Sequence, residues 1–162
     1  MSKLTPAAIV GEARTWIRTP YRDQGHHKGV AADCLGFVRG VYEIVTGNVV
    51  DYVPRYTNDW RSFKRGEQLY EGACSYLQEL ELGPIMRGQL PASIQLGDVL
   101  IFRMVANAPA KHCGIVGFMD GEPSLIHAYN QKARKNSQVM EVNLDAGWVN
   151  RLAYAFRFKE VM

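Results

Sequence analysis

The order of periodicities along the chain predicts an α+β protein whose helices come first and whose antiparallel sheet follows. Three observations carry the prediction. One apolar stripe at helical spacing starts behind Thr5-Pro6 and a second behind Asp33-Cys34, and from Val99 onward short apolar or alternating runs are separated by turn residues. With 162 residues and 47% apolar content, the chain is long enough for a single domain, 1–162, around a full core.

Each element has its own local reason. Thr5 is an N-cap with proline at the first helical position, and Ala8, Ile9, Ala13, Trp16 and Ile17 extend a stripe to about Arg18, before Thr19-Pro20 ends it. Residues 21–32 are polar and glycine-bearing, which predicts a loop. Asp33 then caps a helix from Cys34 to the stop at Gly47, with Leu35, Val38, Val41, Tyr42 and Val45 on its apolar face. Gly36 and Gly40 lie inside it, each costing about 1 kcal/mol relative to Ala, which close packing against a sheet would justify. Residues 48–60 are expected to form an ordered loop. A further helix is expected from Glu67 to Leu80 with Leu69, Tyr70, Ala73, Cys74, Leu77 and Leu80 on one face, making Cys74 a core residue. Strands are expected at Val99–Val105, His112–Met119, Leu125–Tyr129, Val139–Leu144 and Leu152–Phe158. In the last, Leu152, Tyr154, Phe156 and Phe158 alternate with Ala153, Ala155 and Arg157.

Composition narrows the functional classes. The formal net charge is +3, but Lys and Arg are scattered, so no nucleic-acid partner is expected. No apolar run reaches membrane-spanning length, so no membrane insertion is expected. Three cysteines without clustered spacing suggest neither a disulfide framework nor a structural zinc module. The start Met-Ser-Lys-Leu-Thr-Pro leads directly into a helical pattern without a signal-like apolar segment, so the chain is expected to be made in the cytoplasm without a signal peptide.

Cys34 is the candidate nucleophile. An N-capped helix start supplies partial positive charge, which favours thiolate over thiol. Two strand-like runs downstream, "KHCGIVGF" and "LIHAY", each carry one histidine among apolar residues. Alternation puts His112 on one side of its strand with Cys113 on the other, and His127 shares a side with Leu125 and Tyr129. If the two strands form a hairpin through Asp120-Gly121-Glu122-Pro123, both imidazoles can lie side by side on the face that meets the Cys34 helix. His112 is then the base and general acid, His127 the group that fixes its tautomer, and the Cys34 N–H part of an oxyanion hole. Zinc competes for His26, His27, Cys34, His112 and His127. Their spacing matches no standard zinc module, however, and His112 and Cys113 cannot both face one ion on a regular strand, so no metal and no cofactor is expected.

Taken together, "TPYRDQG", "DCLGFVRGVY", "LGDVLIF", "KHCGIVGF" and "LIHAY" resemble, in order and over most of the chain, the NlpC-like family of cell-wall cysteine peptidases. "DCLG", "WIRTPYR" and "AYAFRF" are most similar to a subgroup among phage tail and gene-transfer-agent proteins. The resemblance implies a papain-like fold, with Cys34 as nucleophile, His112 as base and His127 as third polar residue. It implies Tyr21 and Asp33 as substrate-binding residues, Asp33 also being readable as the helix cap alone. The implied substrate is the peptidoglycan stem peptide. The implied partners are phage-tail hub or tip proteins, and the implied location is a virion or virion-like tail that opens the wall for DNA delivery. The chain departs from the pattern at Leu35, where members that cut between D-glutamate and a diamino acid usually carry Ser. Two alternatives stay open: another thiol-dependent amidase or acyltransferase, and a structural tail-hub role without turnover.

Overall fold

The computed structural model describes residues 3–51, 53, 66–131 and 136–161. Helix α1 spans Pro6–Thr15, with the Thr5 hydroxyl accepting from the Ala8 amide at 3.1 Å. It ends earlier than expected. Trp16 caps it, and Arg18 turns through a left-handed conformation (φ 77°) that lets residues 18–21 run off as an extended segment. The stretch read as a loop contains a small hairpin, β1 (His26–His27) paired antiparallel with β2 (Ala31–Ala32). Helix α2, Cys34–Thr46, starts and stops where its caps predict: Asp33 accepts from the Gly36 amide, and Gly47 closes the helix at φ 72°.

The third helix, α3, covers only Gln68–Tyr76, and Leu77–Glu79 forms strand β3. The expected continuation to Leu80 fails because Leu77 pairs with Phe158 at a sheet edge, where tertiary pairing overrides helical periodicity. Cys74 is exposed, not a core residue. The helix packs through Leu69, Tyr70, Ala73 and Tyr76, and Cys74 falls at the margin of that stripe. The loop expected over 48–60 lies largely outside the described residues.

Strands β4 (Val99–Phe102), β5 (His112–Met119), β6 (Glu122–Tyr129), β7 (Gln138–Asn143) and β8 (Leu152–Phe158) complete an antiparallel sheet in the order β3-β8-β4-β5-β6-β7. Architecture and class agree with the α+β expectation. Strand β4 is three residues shorter than expected, while β6 starts three residues earlier and takes in Pro123. A four-residue helix, α4 (Ala146–Val149), precedes β8. Asp120 and Gly121 both have positive φ, as a two-residue hairpin turn requires, and they set the β5–β6 register Ile115↔Ile126.

Strand β8 breaks the expected alternation. Its pairing with β4 runs Ile101↔Tyr154 and then Phe102↔Leu152, skipping Ala153. This β-bulge turns Leu152 onto the face of Ala155 instead of that of Phe156 and Phe158.

The sheet is covered on both faces. On one, Ile9, Trp16, Phe37, Val38 and Val41 of the helical side bury Ile101, Cys113, Ile115, Ile126, Ala128 and Phe156. On the other, Leu100, Phe102, Val116 and Leu125 pack with Leu144, Val149 and the flank of Trp148. The glycines of α2 do make room for close neighbours, but not for the sheet. A Cβ on Gly36 would stand 1.7 Å from the Gly25 carbonyl oxygen, and one on Gly40 would stand 2.1 Å from the Trp16 ring.

Candidate active site

Asp33 holds the start of α2 in place. It is 1% exposed, with Oδ1 accepting from the Gly36 amide and Oδ2 from the Gln24 amide, both at 2.7 Å. The carboxylate therefore ties the loop before the hairpin to the first turn of α2, and both of its oxygens meet backbone N–H groups. Tyr21 is anchored nearby, its amide bonded to the Ser137 carbonyl at 2.9 Å and its backbone bridged to Ala32. Burial, then the charges of Cys34 and Asp33, push its phenol well above the ordinary value, so it remains a neutral hydroxyl.

Cys34 is half-buried, and its Sγ lies 3.5 Å from the Lys111 carbonyl oxygen, just before β5 begins. The expected placement of the histidines needs correction here. Helix α2 packs on the sheet face that carries Cys113, Ile115, Ile126 and Ala128, so His112 and His127 lie on the opposite face. Thiol and imidazole still meet, because β5 starts at His112. The end of a strand is the place where a side chain of one face can reach a group arriving from the other.

The two imidazoles are hydrogen-bonded to each other, His112 Nε2 to His127 Nδ1, at 2.7 Å. That contact occupies Nε2 and leaves Nδ1 of His112 for the sulfur. His112 is 5% and His127 0% exposed. Gly114 makes the pairing possible, since a Cβ there would lie 3.0 Å from the His127 Cβ and 2.6 Å from Leu125 Cδ1.

Electrostatics favour the thiolate form of Cys34. A hydrogen bond from the Cys113 thiol, followed by hydrogen bonding and charge from His112, outweighs burial and holds the Cys34 thiol well below its usual range. The same contact, with burial, pushes the Cys113 thiol up, which makes Cys113 the donor of the pair. Burial, and then the charge of His112, hold His127 well below the ordinary imidazole value, so His127 is neutral. The structure thus brings Cys34, the amides of its helix start and the two rings together, with the thiol pulled down and His127 neutral. The Cys34 and Leu35 amides are orphan donors of a helix start. His26 and His27 sit on the β1 hairpin, and among the described residues no cluster of His, Cys, Asp or Glu could hold a metal ion.

The structure is similar to the NlpC/p60 domain of the peptidoglycan hydrolase SagA, with TM-score 0.57 and 22% identity over 96% of this chain and 100% of that one. The fold is the NlpC/p60 fold. An NlpC/p60 family protein from Bacillus cereus aligns with TM-score 0.60 and 18% identity over 97% of this chain, which spans 41% of that protein's length. An N-acetylmuramoyl-L-alanine amidase from Bacteroides uniformis aligns with TM-score 0.63 and 11% identity over 95% and 98% of the two chains. No protein-family model and no curated protein matches the sequence.

Two residues on this NlpC/p60 scaffold were not legible as site residues. Alternation places Cys113 facing away from His112, and only the packing of α2 on that other face brings it to the site. Trp148 carries no periodic signal, yet its ring lies 5.4 Å from that of His112 and 5.0 Å from that of His127. The Asp145 cap before it was the available clue.

Two outcomes follow from the charges. Removing the Cys113 donor by Cys113→Ala should move the pH profile of Cys34 alkylation upward, lowering the rate at mildly acid pH roughly tenfold, as expected for a bond to a charged group. The measurement belongs in a Cys74→Ser background, since Cys74 is exposed; an unmoved profile would remove Cys113 from the site. For His127, the unfolded ring takes up a proton near 6.5 and the buried ring does not. Folded stability from this group is therefore complete above 6.5 and falls as pH drops below it, by up to about 1.4 kcal/mol per pH unit. The melting temperature of His127→Gln should accordingly decline less steeply on acidification than that of the wild type.

Proposed function

We propose that the protein is a cysteine endopeptidase of peptidoglycan stem peptides. The observation that carries this reading is the continuous arrangement of Cys34, His112 and His127, with the thiol held at low pKa at a capped helix start. The Cys34 thiolate attacks the scissile carbonyl carbon, and the resulting oxyanion is met by N–H groups of the helix start. Protonated His112 gives its proton to the leaving amine, which departs as the C–N bond breaks and leaves a thioester on Cys34. Water, losing a proton to His112, then hydrolyses the thioester and frees the thiol. Tyr21, whose phenol feels the charge of Cys34, is assigned to the substrate. Asp33 supports the helix start with its backbone bonds, and a role toward a substrate amine would be added to that.

The cell wall is supported as the target by the NlpC/p60 scaffold, whose structural counterparts include a protein named peptidoglycan hydrolase and one named amidase. The likeness of "DCLG", "WIRTPYR" and "AYAFRF" to tail proteins supports a tail-tip setting, with hub or tip proteins as partners and local wall opening as the task. The amidase counterpart favours one second reading, cleavage between glycan and stem.

Mass analysis of fragments released from purified peptidoglycan decides among these. An endopeptidase leaves part of the stem on the glycan, whereas an amidase frees the whole stem. Cys34→Ala should release neither, and equal release by wild type and Cys34→Ala would overturn the proposal. In particles, Cys34→Ala should leave adsorption intact and lower DNA delivery through an intact wall.

A further inference from the structure

We propose that Cys113 is a resolving thiol for Cys34: when a hydroperoxide oxidises Cys34, the two cysteines close into a reversible disulfide that switches Cys34 off and spares it irreversible oxidation. The proposal rests on the reading of Cys34 as the reactive thiol and not on which amide bond the protein cuts.

The observation behind it is the meeting of two sulfurs carried by different elements. Strand β5 turns Cys113 toward α2 together with Ile115, and Cys34 packs against the buried cluster that holds both. The Cys34 sulfur meets the Cys113 thiol and also the Cys113 backbone N–H. It lies 3.5 Å from the carbonyl oxygen of Lys111, two residues earlier on the same approach to the strand. Packing asks only for a small apolar group at this position; a sulfur there adds a redox partner. The third cysteine stands apart, since Cys74 is exposed on α3 beside Tyr70.

Access and charge set the order of events. Cys113 is 1% exposed, whereas Cys34 is half-buried and favoured as thiolate, the form that attacks a peroxide. The Cys34 thiolate attacks one oxygen of the hydroperoxide. An S–O bond forms, the O–O bond breaks, and hydroxide or alkoxide leaves with the electron pair, so that Cys34 becomes a sulfenic acid. Its negative charge is then gone, and with it the hydrogen bond and the charge that hold the proton on Cys113, leaving burial and the charge of Asp33. Cys113 gives up that proton and its sulfur attacks the sulfur of Cys34. The S–S bond forms, the S–O bond breaks, and the hydroxyl leaves with the proton as water. Two thiols have lost two electrons, and the peroxide has taken them.

The same braces that position the two cysteines make the bond easy to reopen. Asp33 holds the start of α2 through the Gly36 and Gln24 amides, each at 2.7 Å, and β5 is held by β4 with Ile101 opposite Cys113. Drawing the sulfurs from hydrogen-bond contact to covalent distance works against both, which favours reduction by a dithiol.

The test uses the full chain with Cys74→Ser, exposed to excess hydrogen peroxide at mildly alkaline pH and read by intact mass and by peptide mapping without reduction. The protein should lose two hydrogens, a cross-linked peptide should join Cys34 to Cys113, and dithiothreitol should return Cys34 to full iodoacetamide labelling. With Cys113→Ala added, the same exposure should carry Cys34 to the sulfinic acid, a gain of two oxygens, and dithiothreitol should recover severalfold less labelling. Sulfinic Cys34 beside a free Cys113, a disulfide joining two chains through Cys34, or thiols left unmodified overturns the proposal, as does equal recovery with and without Cys113. The map of the chain that keeps both cysteines decides without the variant. No readout needs peptidoglycan, so release of fragments by the reduced protein tests the hydrolase reading, while the fate of the two sulfurs tests this one.

Discussion

His112→Ala is expected to lower turnover of a peptidoglycan substrate by about two to four orders of magnitude, the range for losing a positioned general acid–base. In the proposed mechanism the imidazole does two jobs. Its hydrogen bond and charge help to hold Cys34 as thiolate, and its proton goes to the leaving amine. His127→Gln should retain more activity, because an amide can still accept from His112 Nε2. Initial rates of fragment release, with circular dichroism as a check on folding, test the ordering. A folded His112→Ala variant with near-normal rates would end the mechanism, and a His127→Gln variant more damaged than His112→Ala would reverse the two roles.

Arg157→Met is expected to produce the largest loss of stability. Asp98 is 1% exposed and receives Arg157 through both oxygens, Nε to Oδ1 and Nη2 to Oδ2, each at 2.8 Å. Arg157 Nη2 also donates to the Ser93 carbonyl at 3.0 Å, and Asp98 Oδ2 accepts from the Gln95 amide at 2.7 Å. Removing the guanidinium leaves a buried carboxylate with far less compensation, a loss of about 3 kcal/mol, at the lower end for a broken buried pair because Arg157 is partly solvated. For a chain of this length that lowers the melting temperature by roughly 10 °C. Asp98→Asn combined with Arg157→Met should recover much of the loss, since no charge is then stranded. A single variant that melts within a degree of the wild type would show that the pair is dispensable.

The Asp98–Arg157 pair also illustrates where sequence reading stops. Each residue could be assigned locally, Asp98 at the head of β4 and Arg157 within β8, but nothing in either neighbourhood says that they meet. The same holds for Cys113. Its position facing away from His112 followed from strand alternation, and that position became chemically meaningful only because α2 covers that face. Gly36 and Gly40 were legible as close-packing positions, while their partners, the Gly25 carbonyl and the Trp16 ring, come from segments 11 and 24 residues earlier in the sequence.

By itself the sequence determined the features that depend on a few neighbouring residues. These are the Thr5 and Asp33 caps, the stop at Gly47, the place of Cys34 at a helix start, the central strands and the pairing of His112 with His127 across one hairpin. Caps, turns and alternation are set by bonds and side-chain directions within a few positions, so they can be read in order along the chain. Tertiary structure alone decided that the helices cover the Cys113 face, that Leu77 leaves its helix for a sheet edge and that β8 bulges at Ala153. It also closed Trp148 over the two imidazoles. Each of these outcomes is a choice among partners distant in sequence, made by the burial and hydrogen bonding available after the sheet has formed, and no local period encodes it.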